Sequence, residues 1–188
     1  ELYTESNKVY LRKTISKEIL EKAVYPLYTD HPTNYYAGNG DGSIYYTEYS
    51  GDWYDAVDAS SGYYADYTSD VSSTYCYYDS SSPQYDIYRA FIPIDTSGIN
   101  DGATVTDASL YIYGYQKYDD WSSYVVLVET SQASTSELVE DDYDNVGTTG
   151  GGYIYVSDFT LDDWNYITMG DLSWVSKTGW TKLGLREY

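Results

Sequence analysis

Short stretches in which apolar and polar residues alternate recur along most of this chain. Alternation with a period of two is typical of a β-strand that is buried on one face and exposed on the other. Clusters of Gly, Asn and Asp separate the stretches, as turns do. The pattern predicts strands at residues 44–47, 89–94, 109–115, 124–128, 153–156, 166–169 and 182–185, and a half-exposed pair of strands within 63–78. Many short strands of this kind predict an all-β fold, a jelly-roll-like antiparallel β-sandwich.

Three positions add detail to this prediction. Pro93 interrupts the apolar stretch 89–94, and because proline has no N–H to donate, we expect it at a sheet edge or a bulge. Three consecutive glycines at 150–152 indicate a flexible turn. Residues 134–139 are the one segment of the predicted sandwich that favours a short helix.

The first 24 residues differ from the rest of the chain in charge. They hold five basic and four acidic residues, a net charge of +1, whereas residues 25–188 hold five basic and 26 acidic residues, a net charge of −21. This change predicts an N-terminal arm at 1–24 joined to a β-sandwich domain at 25–188. Within the arm, residues 8–15 fit a strand, and a short helix capped by Ser16 fits equally well. The pattern also leaves open whether the arm packs on its own domain or on another copy.

Tyrosine dominates the composition. The chain has 28 Tyr but only two Phe. A tyrosine ring packs like an apolar side chain, while its hydroxyl requires water or a polar partner. We therefore expect half-wet surfaces, such as sheet faces, subunit contacts or platforms for sugars. The net charge of −20 argues against nucleic acids and anionic membranes as partners, since both attract positive surfaces. No apolar run approaches the roughly 18 residues needed to insert into a membrane.

Candidate catalytic and metal-binding residues are few. The single histidine, His31, lies beside Pro32 in a predicted loop, and the chain contains no nucleophile-elbow or phosphate-loop motif, so we predict no catalytic residue and no enzyme activity. The single cysteine, Cys76, excludes an intramolecular disulfide and a cysteine-based metal site. No cofactor is expected, except a structural Ca²⁺ at the carboxylates of Asp141, Asp142 and Asp144.

Carbohydrate is a second class of candidate ligand. Aromatic rings stack on sugars, and the candidate stacking residues are Trp53, Trp121 and Trp164. More often such residues are core or interface anchors. The chain has no Asn-x-Ser/Thr sequon, but the hydroxyl-rich segment 69–82 offers acceptors for O-glycosylation.

Two segments carry a resemblance to a known family. Residues 88–99 read YRAFIPIDTSGI and residues 102–114 read GATVTDASLYIYG. With 166–168 and 176–186, they resemble the extracellular β-sandwich domains of the DNRLRE or disaggregatase-related type. The resemblance covers about residues 25–188, and it implies a cell-surface or extracellular location and a role in adhesion, carbohydrate binding or structural display. Glu1 is not a translation start, which favours a removed export signal.

One departure from that family leads to a functional prediction. Members continue past the segment similar to 176–186 with a closing strand, whereas this sequence stops at Tyr188. We expect the basic arm of a neighbouring copy to supply the closing strand. The inserting side chains would be Val9, Leu11, Thr14 and Ile15, and the residues that steer the encounter would be Lys8, Arg12, Lys13 and Lys17. The chain is then a structural subunit of an extracellular or cell-surface filament, a homopolymer that assembles head-to-tail. The alternative is a carbohydrate-binding or adhesion module of a larger surface protein.

Overall fold

The computed structural model describes residues 2–5, 8–11, 33–49, 51–69, 71–118 and 123–187. The chain divides into two units, Glu1–Asn34 and Tyr35–Tyr188. In the first unit, β1 (Leu2–Glu5) and β2 (Lys8–Leu11) form an antiparallel hairpin in which Leu2 lies opposite Leu11 and Glu5 opposite Lys8. The helix that the sequence allows from Ser16, and the arm residues Arg12, Lys13, Thr14, Ile15 and Lys17, lie outside the described residues.

The regular structure of the second unit is mostly antiparallel β-strand, which confirms the predicted all-β, sandwich-like fold. Its strands are β3 (Gly42–Glu48), β4 (Tyr64–Asp66), β5 (Tyr75–Asp79), β6 (Gln84–Asp95), β7 (Ser109–Tyr113), β8 (Tyr124–Thr130), β9 (Val146–Tyr155), β10 (Trp164–Thr168) and β11 (Trp180–Glu187). One short helix, α1 (Trp53–Val57), and 3-10 turns at Glu140–Asp144, Val156–Asp158 and Leu172–Trp174 lie between the strands.

The strands form two sheets of unequal size. Seven strands make the large sheet, in the order β4-β3-β6-β11-β8-β9, with β5 also paired to β6. The strand β6 is twelve residues long, and one of its edges pairs with β3. Its other edge pairs with β5 near the start of β6 and with β11 near its end. The remaining strands, β7 and β10, pair with each other and with no other described strand, and they form a two-stranded ribbon.

The ribbon packs on one face of the large sheet. Leu110 of β7 and Ile167 of β10 point inward and join a core with residues of β6, β8 and β11, among them Ala90, Leu127 and Leu183. Because side chains alternate along a strand, the outward residues of the ribbon are the neighbours of these core residues in sequence.

The opposite face of the large sheet is covered by α1 and by the segment before β9. Phe91, Val126 and Val128 pack there against Ala56 of α1 and against Tyr143. The sheet is therefore buried on both faces at its centre. This explains why residues 125–128 are apolar without alternation, since successive side chains enter the two different cores.

A buried arginine lies in the core between the large sheet and α1. Arg89 of β6 donates from Nη1 to the carbonyl of Tyr143 (2.7 Å) and from Nη2 to the carbonyl of Val57 (2.7 Å). Its guanidinium lies 4.0 Å from the centre of the Tyr143 ring, and the Tyr143 hydroxyl donates to the carbonyl of Ala56 (2.9 Å). Burial lowers the pKa of Arg89 and raises the pKa of Tyr143 to about 12. Arg89 thus has a structural role here, because it is buried and both of its terminal nitrogens bind backbone carbonyls.

The predicted helix at 134–139 is wrong. The segment is irregular, and the Ser134 hydroxyl accepts a hydrogen bond from the N–H of Ser136 (3.1 Å), a local turn that competes with helical hydrogen bonds. The helix of this unit is α1, which is too short to show a helical period. It begins at a capping box in which Asp52 accepts from the N–H groups of Tyr54 and Asp55.

The glycines at 150–152 are not a turn. They lie inside β9, where the pairing with β8 shifts register between Leu127 and Val128. A Cβ at Gly151 would lie 2.2 Å from the Trp174 ring, and a Cβ at Gly152, whose φ is 154°, would lie 2.3 Å from the Thr168 carbonyl oxygen. These glycines therefore allow a bulged strand to approach its neighbours closely.

Two further predictions concern pairing. The segment 63–78 does hold two strands, but they do not pair with each other, since β4 pairs with β3 and β5 with β6.

Pro93 lies in β6 opposite Lys182, and its carbonyl accepts from the N–H of Gly38 (2.8 Å). Because the N–H and C=O of a strand residue point to the same side, the missing N–H faces away from β11, past the end of β3. The expected position at a sheet edge or a bulge is therefore wrong. Pro93 is buried in a central strand, with β11 paired on one side and the segment 37–38 on the other.

Candidate functional site

The outer face of the β7–β10 ribbon is aromatic. Four of its outward side chains are aromatic, namely Tyr111 and Tyr113 on β7 and Trp164 and Tyr166 on β10, and we call them the aromatic ribbon. Each is more than half exposed: 62% for Tyr111, Trp164 and Tyr166, and 53% for Tyr113. A cluster of large exposed aromatic side chains of this kind marks a surface that contacts a ligand or another protein.

Strand register places these rings in two cross-strand pairs. Tyr111 lies opposite Tyr166, with ring centres 5.9 Å apart and planes inclined by 33°. Tyr113 lies opposite Trp164, with centres 5.6 Å apart and planes inclined by 78°. Because neither pair is stacked face to face, ring surface stays available for a sugar or for the side chains of a partner.

A cleft runs along the side of the ribbon, between β9 and β10. The two strands are close at one end, where the N–H of Gly170 donates to the carbonyl of Gly151 (2.5 Å). They do not pair along their length, and the space between them has a volume of about 540 Å³. Its lining is aromatic and polar: Gly152, Tyr153, Ile154, Asp158, Thr160, Trp164, Asn165, Tyr166 and Thr168. Aromatic walls with a few polar groups are typical of small-ligand sites.

Buried Asn165 shapes the cleft without being available to a ligand. Its Nδ2 donates to the carbonyls of Thr160 (2.9 Å) and Asp163 (3.2 Å), and its Oδ1 accepts from the N–H of Thr160 (2.7 Å). These bonds hold the 160–163 turn against β10. Within this turn Asp162 adopts a left-handed conformation with φ at 57°. The groups that can reach a ligand are therefore the side chains of Asp158, Thr160 and Thr168, together with the rings.

A second aromatic surface crosses four strands of the large sheet. Tyr64, Tyr45, Tyr88 and Tyr75 lie directly opposite one another on β4, β3, β6 and β5, and we call them the tyrosine row. Successive ring centres are 6.2, 4.9 and 4.2 Å apart, and the last two pairs are stacked with planes inclined by 15° and 18°. Because stacked rings cover each other's faces, this surface presents ring edges and hydroxyls, which suits polar contacts better than sugar stacking.

The tyrosine row lies on the same face of the large sheet as the ribbon. Tyr88 is separated by two residues from Ala90 on β6, so both side chains point to one face, and Ala90 belongs to the core beneath the ribbon. Three carboxylates share this face, since Asp66 follows Tyr64 by two residues, Asp86 precedes Tyr88 by two, and Asp79 follows Tyr75 by four.

The three tryptophans proposed for sugar stacking do not form one platform. Trp164 belongs to the aromatic ribbon and lines the cleft. Trp53 lies in α1, half buried against Tyr85 with ring centres 6.0 Å apart, in the core on the opposite face of the sheet. Trp121 lies outside the described residues. The sequence reasoning missed Tyr111, Tyr113 and Tyr166, although their outward positions follow from the alternation in residues 109–113 and 164–168.

The proposed calcium ligands do not converge. Among the described residues, no group of three or more His, Cys, Asp or Glu side chains is arranged to hold a metal ion. Asp142 is buried, and its carboxylate accepts hydrogen bonds from the N–H groups of Ala133 (3.1 Å) and Val139 (3.2 Å) and from the Asn145 amide (2.9 Å). Asp141 and Asp144 are exposed on either side of it. Asp142 therefore organises the loop before β9.

The predicted arm residues are described in part. Lys8, Val9 and Leu11 lie in β2, on the strand that pairs with β1, and their partners in that prediction lie outside the described residues. His31 also lies outside them. In the part of the chain that the structure describes, no helix is long and apolar enough to cross a membrane.

The chain has no detected relative from which the role of the candidate site could be inferred. No protein-family model matches the chain, and searches of curated proteins and of solved structures return no significant match. The resemblance to the DNRLRE or disaggregatase-related type stays a prediction.

Proposed function

We propose that this chain is a structural subunit of an extracellular filament and that its N-terminal unit docks on a neighbouring copy. The observation that carries the proposal is the contrast between the two units. The first unit, Glu1–Asn34, contains the basic arm at 1–24, and the β-hairpin lies within this arm. The arm has a net charge of +1, whereas residues 25–188 have a net charge of −21.

Stability and charge both favour docking of the N-terminal unit on another copy. A two-stranded hairpin alone is marginally stable in water, so β1 and β2 gain stability by packing against another sheet. Attraction between a basic arm and an acidic domain favours arm–domain contacts between copies, while repulsion disfavours contacts between two acidic domains. Because the arm and its acceptor are different surfaces, repeated docking produces a chain of subunits, unless it closes into a ring.

Electron microscopy of the purified protein tests this proposal. We expect filaments in negative stain, and we expect deletion of residues 1–24 to leave only monomers. A wild-type protein that stays monomeric in sedimentation velocity at about 100 µM would exclude the filament.

A matched pair of variants tests whether the charge of the arm speeds assembly. One variant replaces four basic arm residues with glutamine and changes the net charge by −4: Lys8, Arg12, Lys13 and Lys17. The control changes it by the same amount through aspartate at four exposed serines of the second unit: Ser60, Ser69, Ser72 and Ser82. We expect the arm variant to assemble at least 10-fold more slowly than the control at low salt, because only the arm variant removes the attracting charges. Equal rates would remove electrostatic steering from the proposal.

A second candidate function is carbohydrate binding, and the aromatic ribbon favours it. Its rings are exposed and unstacked, and the cleft beside Trp164 offers Asp158, Thr160 and Thr168 as hydrogen-bonding groups. We expect Trp164→Ala to weaken binding of a responsive oligosaccharide by at least 10-fold, or about 1.4 kcal/mol. Tyr49→Ala, an exposed tyrosine of the second unit, is the control. Absence of binding across a panel of neutral and acidic oligosaccharides would exclude this function.

A further inference from the structure

In the part of the chain that the structure describes, no strand covers one edge of β7. Among the described residues, its only partner is β10. The N–H of Met169 donates to the carbonyl of Ala108 (2.9 Å), and the N–H of Gly114 donates to the carbonyl of Asp163 (2.9 Å). Since hydrogen-bonded positions alternate in an antiparallel pair, Leu110 and Ile112 face β10. The N–H and C=O groups of Ser109, Tyr111 and Tyr113 therefore point to the uncovered edge.

This edge lacks the features that block strand addition at the two ends of the large sheet. The strand at one end of the large sheet, β4, has only three residues and ends in Asp66. The strand at the other end, β9, is interrupted by register shifts and faces β10 across the cleft. By contrast, β7 has five regular residues, SLYIY, with no charge, proline or bulge. Long, regular, uncharged edges are the ones to which further strands add.

The uncovered edge of β7 also faces the uncovered part of the large sheet. The contact between Gly170 and Gly151 places β10 beside β9, at one end of the strand order. The ribbon core extends from β8 to β6, so β7 lies farther from β9 than β10 does. Strands added to β7 would continue the ribbon toward β3 and β4. There the tyrosine row lies on the same face, with Tyr64 and Tyr75 exposed.

We propose that this edge of β7 is the acceptor site for the N-terminal hairpin of a second copy, with β2 added alongside β7. The ribbon would then grow from two strands to four, in the order β10, β7, incoming β2 and incoming β1. This inference rests on the proposed filament and names the surface at which its subunits join.

Charge selects the hairpin over other occupants. The face that the added strands would cover carries Asp66, Asp79 and Asp86 beside the tyrosine row. The arm supplies Lys8 and, just after β2, Arg12 and Lys13. The alternative occupant is β7 of a second copy, which would bring two domains of −21 together and form a dimer that cannot extend.

A proline whose missing N–H lies at the uncovered edge of β7 should block docking without blocking folding. The N–H of Tyr111 faces the uncovered edge, and proline is tolerated on an edge strand where its missing N–H is not needed. Tyr111→Pro should therefore fold but lose strand addition, with assembly reduced at least 100-fold. Tyr111→Val removes the same ring, keeps the N–H and should still form filaments. Circular dichroism and thermal unfolding establish that both variants are folded.

The outcomes distinguish the site from the function. Filaments from Tyr111→Pro that still disappear on deletion of residues 1–24 would overturn the β7 site and leave the proposed filament intact. A monomeric wild type would overturn both. Loss of assembly in both Tyr111 variants would assign the effect to the ring and overturn strand addition.

Photo-crosslinking gives a second readout that does not depend on a proline. A benzophenone amino acid at position 111 is introduced into unlabelled protein, which is then assembled with ¹⁵N-labelled wild type. We expect mass spectrometry to find crosslinks from position 111 to residues 1–24 of the labelled copy. Crosslinks to residues 109–113 of the labelled copy would indicate β7–β7 pairing, and crosslinks only to the arm of the same chain would indicate docking within one copy. Either result overturns the proposal.

Discussion

Replacement of Tyr143 by phenylalanine should change how the free energy of unfolding depends on pH in alkaline solution, because the tyrosine hydroxyl is buried. The Tyr143 side chain is fully buried, lies beneath the Arg89 guanidinium and donates to the carbonyl of Ala56 at 2.9 Å. Burial raises the pKa of Tyr143 to about 12, from an ordinary value of 10.0. Phenylalanine keeps the ring and removes the titrating hydroxyl.

The size and sign of the effect follow from proton linkage. Between pH 10 and pH 12 the unfolded chain has released the Tyr143 proton while the folded protein keeps it, so the free energy of unfolding falls as the pH rises. The slope is about 1.4 kcal/mol per pH unit, which amounts to about 3 kcal/mol over the window. Below pH 10 this contribution is fully present. Phenylalanine loses only the hydrogen bond, and the unpaired Ala56 carbonyl costs about 1–3 kcal/mol at neutral pH.

Urea unfolding from pH 8 to pH 11.5 measures both terms. We expect the wild type to be more stable than Tyr143→Phe by about 1–3 kcal/mol up to pH 9.5, and the difference to shrink by about 1.4 kcal/mol per unit above pH 10. Tyr54→Phe, at an exposed position of α1, should follow the wild type throughout. If the wild-type and Tyr143→Phe curves stay parallel from pH 9 to pH 11.5, the hydroxyl does not keep its proton through burial and the reasoning is refuted.

Three further substitutions test the packing by the same unfolding measurement. Gly152→Ala should destabilise by about 1–3 kcal/mol, because its Cβ would meet the carbonyl oxygen of Thr168 at 2.3 Å; a neutral effect would contradict the bulge in β9. Arg89→Lys should cost about 1–3 kcal/mol, because one ammonium cannot serve both carbonyls that the guanidinium reaches, and an unchanged midpoint would argue against that pair of bonds. Leu127→Ala, in the core beneath the ribbon, should cost about 2–5 kcal/mol, whereas a loss under 1 kcal/mol would mean that the ribbon does not pack there.

The strands could be predicted because their alternation is local. The segment 109–115 shows outward tyrosines between inward aliphatic residues, and the structure has β7 at Ser109–Tyr113. The apolar run at 124–128 became β8, whose neighbours alternate between two cores. In both cases the side chains that decide the strand lie within a few residues of one another.

The wrong predictions at 150–152 and at 134–139 have different causes. The glycines at 150–152 indicate a turn when only their backbone freedom is considered, but their lack of a side chain serves the close approach of Trp174 and Thr168, which are distant in sequence. The helix predicted at 134–139 was displaced by a local serine hydrogen bond and by the requirements of buried Asp142. At 150–152, contacts with distant parts of the chain outweighed a local preference, whereas at 134–139 competing local hydrogen bonds did so.

Composition and alternation by themselves determine that this protein is an acidic, tyrosine-rich, antiparallel β protein with an N-terminal segment of different charge. Tertiary structure alone decides which tyrosines act together. Residues 111 and 166 become a pair, and Tyr75 and Tyr88 stack, through strand register. The uncovered edge of β7 likewise follows from the tertiary structure, in which the described strands of the ribbon number two. Register depends on hydrogen bonds and burial between segments far apart in the chain, so no local pattern can specify it.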